Sequence, residues 1–167
     1  VTVICSDKTG TLTENKMQVV VFETAAGRLE VKGDNSAAQF EKEKEWKLLV
    51  MSAALCNDAS LSSKEGAEYV GDPTEGSLLV AASHFGIQKQ DLEKDFPRKS
   101  EKAFDSDRKR MSTLHEMKEN GQAAAKADFM AKDARAIVFA KGSADGLLEI
   151  ASHIRVGDNL EPLTEEL

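Results

Sequence analysis

The chain has 167 residues, 41% of them hydrophobic and 31% charged, with a formal net charge of -7. That length supports one substantial core, or one domain plus a fragment of another, and the acidic balance argues against a nucleic-acid partner, so any phosphate ligand must be met by a local basic cluster. Cys5 and Cys56 have neither metal-ligand spacing nor the density of a disulfide scaffold, no stretch approaches the roughly 20 apolar residues that span a bilayer, and no signal peptide opens the chain.

Val1-Thr2-Val3-Ile4 is a short β-branched run that predicts the end of a buried strand. Cys5-Ser6-Asp7-Lys8-Thr9-Gly10-Thr11-Leu12-Thr13 then places one carboxylate, Asp7, where that strand gives way to a hydroxyl-rich turn. At the carboxyl end of a parallel strand such a side chain faces the crevice where open α/β sheets bind ligands. Asp7 is therefore a candidate nucleophile toward a phosphoryl group, with Lys8 supplying charge and Thr9, Thr11 and Thr13 hydroxyl donors.

Gln18–Glu23 and Arg28–Lys32 around a Gly-bearing turn predict a hairpin. Phe40, Trp46, Leu48, Leu49, Met51, Ala53 and Leu55 among charges predict one long amphipathic helix over 36–56, capped by Ser36, with the Glu41–Lys47 charge run as its solvated face. Cys56 reads as a small buried apolar residue. A loop or weak strand is expected at 57–68, helices at 73–86 and 88–95, and strands at 98–105 and 110–117. The Ala-rich stretch 118–134 reads as an extended hairpin tip. Ala136–Lys141 reads as a central strand and Ser143–Ile154 as a helix. Strand pairs alternating with helices predict an α+β fold, an antiparallel β-sheet flanked by helices. His84, His115 and His153 are scattered without ligand spacing, and surface positions on helices or strands account for them.

Three further constellations carry candidate chemistry. In Gly71-Asp72-Pro73-Thr74-Glu75-Gly76, Asp72 can cap, Pro73 suits the first helical position and Glu75 completes a capping-box spacing. Alternatively, Glu75 faces a pocket and accepts from an adenine amino group. Phe104-Asp105-Ser106-Asp107-Arg108-Lys109-Arg110-Met111-Ser112 sets three consecutive cations after an aromatic ring. That is either a solvated turn beside a core Phe or a ring on which a base stacks, with cations at its phosphates. Lys141-Gly142-Ser143 ends an apolar strand, and Gly142 permits close backbone approach.

Asp7-Lys8-Thr9-Gly10-Thr11-Leu12-Thr13 resembles the phosphorylation motif of the P-type cation-transporting ATPases, matched at every residue. The 71–76 and 104–112 segments resemble the nucleotide-domain signatures of the type II members, and Lys141-Gly142-Ser143 is similar to their Lys-Gly-Ala. The resemblance implies an aspartyl-phosphate formed on Asp7 from ATP, with Lys8 and Thr9 catalytic and Asp7 and Thr9 holding Mg²⁺ in the full-length protein. It implies ATP docked between Phe104 and Lys141, with Glu75 near adenine, Lys109 near the phosphates, and Ser106, Met111 and Gly142 in the pocket. Some relatives carry Arg where this chain has Ser106, so the phosphate contact at that point would be weaker or supplied by Arg108 or Arg110. Phosphatases of the same broad fold family place a second Asp where Thr9 stands; Thr cannot do that proton work at neutral pH, so the phosphoenzyme would persist.

On this reading residues 1–16 are the phosphorylation-motif strand and hinge, 17–160 the nucleotide-binding domain, and 161–167 the start of a return hinge. A start without Met and an end in Thr164-Glu165-Glu166-Leu167, like the first turn of a helix, lead us to expect a segment of a longer polypeptide. The expected partners are the phosphorylation, actuator and transmembrane domains of the same chain and a transported cation, calcium ahead of sodium, potassium or magnesium, in the cytosolic part of a polytopic membrane protein. A free-standing phosphohydrolase and a non-catalytic interaction domain are the rival readings.

Overall fold

The computed structural model describes residues 1–7, 12–14, 16–25, 27–32, 36–42, 44–62, 68–118, 134–157 and 159–164. Val1–Asp7 forms no strand and is exposed throughout, contrary to the buried strand end its β-branched run suggests. Such a run becomes a strand only where a neighbour satisfies its backbone donors and acceptors. The first ordered ladder is the hairpin of β1 (Val21–Thr24) and β2 (Gly27–Glu30), antiparallel, with Phe22 opposite Leu29 and both buried.

The 36–56 amphipathic stretch is described as α1 (Ser36–Lys42) and α2 (Lys44–Leu55), with residue 43 outside the described residues. Trp46, Val50, Met51, Ala54 and Leu55 recur at helical spacing and are all buried, and Cys56 is buried at the end of α2 as expected. The charge run is only partly solvated: Glu45, at the flank of this stripe, is 8% exposed. Two short strands, β3 (Ser60–Leu61) and β4 (Tyr69–Val70), pair ahead of α3 (Pro73–His84) and α4 (Lys89–Asp95). Phe85, just past α3, stacks on Phe40 with ring centroids 4.5 Å apart, which ties α3 to α1.

The main sheet is antiparallel, in the order β5 (Arg98–Asp105), β6 (Arg110–Glu116), β7 (Ala136–Gly142). Along β6 the buried residues are Met111, Thr113 and His115, a period of two that turns one face of the sheet inward, where α2 packs against β7. The strand expected to be central, 136–141, is an edge among the described residues, and β6 is the central one. Its unbroken apolar run reads as two-sided burial, but Val138 is 61% exposed. The hairpin tip expected at 118–134 falls almost wholly on 119–133, outside the described residues.

The helix expected over 143–154 is only α5 (Ala144–Leu148), and Ile154 lies in a strand. Gly146 weakens the helix interior, and from His153 the sequence alternates as a half-buried strand does. That strand, β8 (His153–Val156), pairs antiparallel with β9 (Asn159–Pro162), so Glu161 and Pro162 close a ladder with Ile154 and His153. This α+β arrangement of antiparallel strands and helices is the fold class the sequence predicts. No helix of the described residues is long and apolar enough to cross a membrane.

His84 and His153 are exposed, but His115 is fully buried, contrary to a surface role. Its Nδ1 lies 2.8 Å from the Phe96 carbonyl and its Nε2 2.9 Å from Thr113 Oγ1. Burial lowers its pKa, against the opposing pull of the Phe96 carbonyl. A group whose folded pKa lies below its unfolded value contributes stability that is fully present above the unfolded value, near 6.5. That contribution falls as the pH drops below it, by at most about 1.4 kcal/mol per pH unit. Urea midpoints compared between pH 7.5 and 5.5 should therefore fall more for the native chain than for His115→Gln; equal slopes would rule His115 out as the source.

Candidate functional site

The site begins at the N-terminus of α3. Asp72 adopts an extended backbone and its Oδ1 accepts from the amides of Thr74 (2.8 Å) and Glu75 (3.2 Å), so it caps as the sequence predicts. Gly76 is required here because a Cβ would lie 2.0 Å from the Tyr69 ring of β4. The other half of the capping box is not made. Glu75 turns its carboxylate away from its own helix end and accepts at Oε2 from the amides of Asp58 (2.8 Å) and Ala59 (3.1 Å), and at Oε1 from Lys141 Nζ. Glu75 and Lys141 are both half-buried, and this ion pair joins α3 to the end of β7.

Lys141 reaches Glu75 because of its place in the sheet. Directly opposed residues of antiparallel strands share a face, and the β6–β7 register sets Lys141 against Met111 and Phe139 against Thr113. Lys141 is thus the last member of the row facing the core, at the sheet's end. On the other side of β6 the register passes from Lys102 opposite Ser112 to Asp105 opposite Arg110. Ala103 and Phe104 therefore bulge together against Met111. Phe104, Met111 and Lys141 form one row across three strands, with Phe104 and Lys141 two strand spacings apart, roughly 10 Å. Phe104 is 63% exposed, which excludes the reading of it as a core residue, whereas Met111 is 2% exposed and floors the row.

The 106–109 turn between β5 and β6 is built by Asp105, whose Oδ1 accepts from the amides of Asp107 (3.0 Å) and Arg108 (2.9 Å). The Arg108 amide, above all, holds the Asp105 carboxyl below the usual carboxylate range. Lys109 takes positive φ (52°), uncommon for a residue with a Cβ. Its carbonyl accepts from Ser143 N at 3.0 Å, which clamps the basic turn to the end of β7. Gly142 makes this approach possible, since a Cβ there would meet the Lys109 carbonyl oxygen at 2.4 Å. Ser106 and Lys109 are exposed, while Arg110 is half-buried and donates to the carbonyls of Arg108 (3.2 Å) and Gly146 (3.3 Å).

Glu75, Phe104, Met111, Lys141 and Gly142 are thus brought together, with Ser106 and Lys109 on the adjoining turn. Asp7 lies outside this cluster, in the exposed 1–7 segment, and Lys8 and Thr9 fall outside the described residues. Of the residues assigned to Mg²⁺, Asp7 alone is therefore described, and the described residues contain no group of three or more His, Cys, Asp or Glu suited to a metal.

Sequence reasoning missed the Leu55–Ala59 turn. Asn57 is fully buried, donates to the carbonyls of Ala53 (3.1 Å) and Glu75 (2.9 Å), and accepts from Ala59 N at 2.9 Å. Arg98 and Lys89 donate to carbonyls of the same turn. Cys56-Asn57-Asp58 after an apolar helix marks a turn, but nothing in the local pattern ties it to Glu75 or Arg98.

Comparison with known proteins identifies the family. The family described as P-type ATPase, cytoplasmic domain N, matches residues 45–167. The chain is 41% identical over 167 residues to calcium-transporting ATPase 1 of Bacillus cereus, and 37% identical over 166 residues to calcium-transporting ATPase 1 of Lactococcus lactis. It is also 37% identical over 165 residues to a calcium-transporting ATPase of Listeria monocytogenes. Each alignment covers 99% of this chain and 16% of the relative, so the chain spans about a sixth of the length of the relatives it matches. The chain belongs to the P-type ATPase family, with residues 45–167 matching its cytoplasmic domain N.

Proposed function

We propose that the cluster is an ATP site and that it serves a cation pump phosphorylated on Asp7. The observation that carries the reading is the row of Phe104, Met111 and Lys141. An exposed aromatic ring and a cation stand on either side of a buried floor, a fixed carboxylate lies below, and a basic turn lies at one end. A base stacks on Phe104, Glu75 accepts from its exocyclic amino group, and Lys109 with its neighbours meets the phosphates. Gly142 leaves room for backbone approach beside the ligand.

In the whole protein the Asp7 carboxylate oxygen attacks the γ-phosphorus in line, forming an acyl-phosphate as the bond to the bridging β–γ oxygen breaks and ADP leaves. Mg²⁺ accompanying the triphosphate supplies charge neutralisation at the transferred group. The connector 13–17 would be the hinge that lets the ATP site approach Asp7, within a domain division of 1–16, 17–160 and 161–167. The names of the relatives favour calcium as the transported ion, and the family's description as a cytoplasmic domain favours the cytosolic side of a membrane as the location. Thr9, where a phosphatase carries a second acid, favours a persistent phosphoenzyme over a free phosphohydrolase.

The test is an NMR titration of the ¹⁵N-labelled chain with ATP, ADP and GTP. Shifts should cluster on Glu75, Phe104–Met111 and Lys141–Ser143, and be stronger for adenine than guanine. Phe104→Ala should weaken ATP binding by about 1–3 kcal/mol, the worth of a base stack, which is roughly five- to 150-fold in Kd. Because the ring is already exposed, the unfolding free energy should change by no more than about 0.5 kcal/mol. Equal ATP affinity in the variant and the native chain would sink the stacking assignment, and no shift at several millimolar nucleotide would sink the site.

A further inference from the structure

The geometry points to Arg98 as a positioning residue for base recognition, acting on Glu75 through one peptide unit; this rests on the reading of Glu75 as the carboxylate that meets the base. The peptide joining Asn57 to Asp58 is gripped at both ends. Its carbonyl oxygen accepts from Arg98 Nη2 at 2.7 Å and from Lys89 Nζ at 2.5 Å, and its N–H donates to Glu75 Oε2 at 2.8 Å. Two cations on the oxygen and a carboxylate on the N–H polarise the peptide in the same sense, and a hydrogen-bond chain polarised that way is stronger than its separate links. The neighbouring carbonyls are held as well, Leu55 O by Arg98 (3.1 Å) and Ala59 O by Lys89 (3.0 Å).

Two cations converging on one carbonyl repel each other, and burial lowers the Lys89 pKa despite the Glu93 carboxylate 3.9 Å away. The arrangement stands because Arg98 is itself anchored, its Nη1 donating to Asp58 Oδ1 and Glu101 Oε2 at 2.6 Å each. Only a planar fork serves two carbonyls and two carboxylates together; a lysine ammonium is a point charge on a flexible stem. With Oε2 held by the turn, Glu75 presents Oε1 alone to Lys141 and to a base. Adenine offers an amino donor where guanine offers a carbonyl acceptor, so a fixed carboxylate oxygen discriminates between them. Without Arg98 the turn loosens, the carboxylate is free to rotate onto Lys141, and discrimination falls, while phosphate contacts from the 106–110 turn are untouched.

The experiment titrates ATP, GTP and inorganic tripolyphosphate into the ¹⁵N-labelled native chain, Arg98→Met, Arg98→Lys and Phe104→Ala. In Arg98→Met we expect ATP affinity to fall about tenfold, ATP and GTP to become nearly equal, and tripolyphosphate affinity to stay within about twofold. The Asp58 and Ala59 amide protons should move upfield, and Arg98→Lys should fall between. If Arg98→Met keeps its ATP preference while Phe104→Ala weakens ATP, the positioning role is overturned and the nucleotide site stands. An equal loss for all three ligands would mark Arg98 as merely structural and overturn the role too. Should Arg98→Met not fold, Arg98→Lys decides, since unmoved Asp58 and Ala59 amides with unchanged preference overturn the proposal. A native chain blind to ATP removes the nucleotide reading and this inference with it.

Discussion

Asn57→Ala should cost about 2–4 kcal/mol of stability, because one fully buried amide serves three backbone groups, two within its own turn and one, the Glu75 carbonyl, 18 residues away. Removing it takes a side-chain donor from the Ala53 and Glu75 carbonyls and leaves the Ala59 amide with Glu75 Oε2 alone. Each buried hydrogen bond lost this way costs roughly 1–3 kcal/mol where the partner is left unsatisfied, which water can offset only where it fits. Asn57→Asp, nearly identical in shape, should be at least as damaging. It replaces the donor by an oxygen facing two carbonyl oxygens and adds a charge beside the Glu75 segment. Urea midpoints at neutral pH measure both. A loss below about 1 kcal/mol in Asn57→Ala would mean that water takes over its bonds. ATP affinity should fall in the same variants, since the turn that aims the Glu75 carboxylate is the turn Asn57 braces.

Gly142→Ala should lose about 1–3 kcal/mol, the usual cost of overpacking a site that cannot yield. The added Cβ would meet the Lys109 carbonyl oxygen at 2.4 Å, Arg110 Cβ at 2.6 Å and Arg110 Cα at 2.9 Å. Two of those three are backbone atoms, so relief requires the ends of β6 and β7 to part. Gly142 opposite Arg110 is the last pair of that ladder, and the Ser143 N–H bond to Lys109 O follows it. Parting them also moves Lys141, one residue back, away from Glu75, so stability and ATP affinity should fall together. An unchanged urea midpoint with an unchanged ATP titration would show that the ladder frays there at no cost.

Features set by short stretches of chain were legible in the sequence. The hairpin around Gly27, the apolar stripe of α2, the Asp72 cap and the alternation along β6 are decided within a few residues, by turn chemistry and side-chain period. So were the candidate residues Glu75, Phe104, Lys141 and Gly142, singled out by residue type at fixed spacing. Misreadings arose where a local pattern has two tertiary solutions. The apolar run of β7 fits an edge strand as well as a central one, and 143–154 fits a short helix followed by a strand as well as one long helix. His115 looks like any strand histidine until the Phe96 carbonyl and Thr113 close over it.

Residue type and spacing by themselves determined the family, the α+β class and which side chains carry candidate chemistry. Only the tertiary structure decided what those side chains do. Glu75 could have closed its own capping box, and that partner lies three residues away. It bonds instead to Asp58, 17 residues distant, and to Lys141, 66 residues distant. Asp72 Oδ1 satisfies two of the helix-end amides, while the turn offers the Asp58 N–H and a shared bond from the Ala59 N–H, and β7 ends in a half-buried ammonium. A carboxylate settles where unpaired donors and positive charge converge, and packing decides where that is.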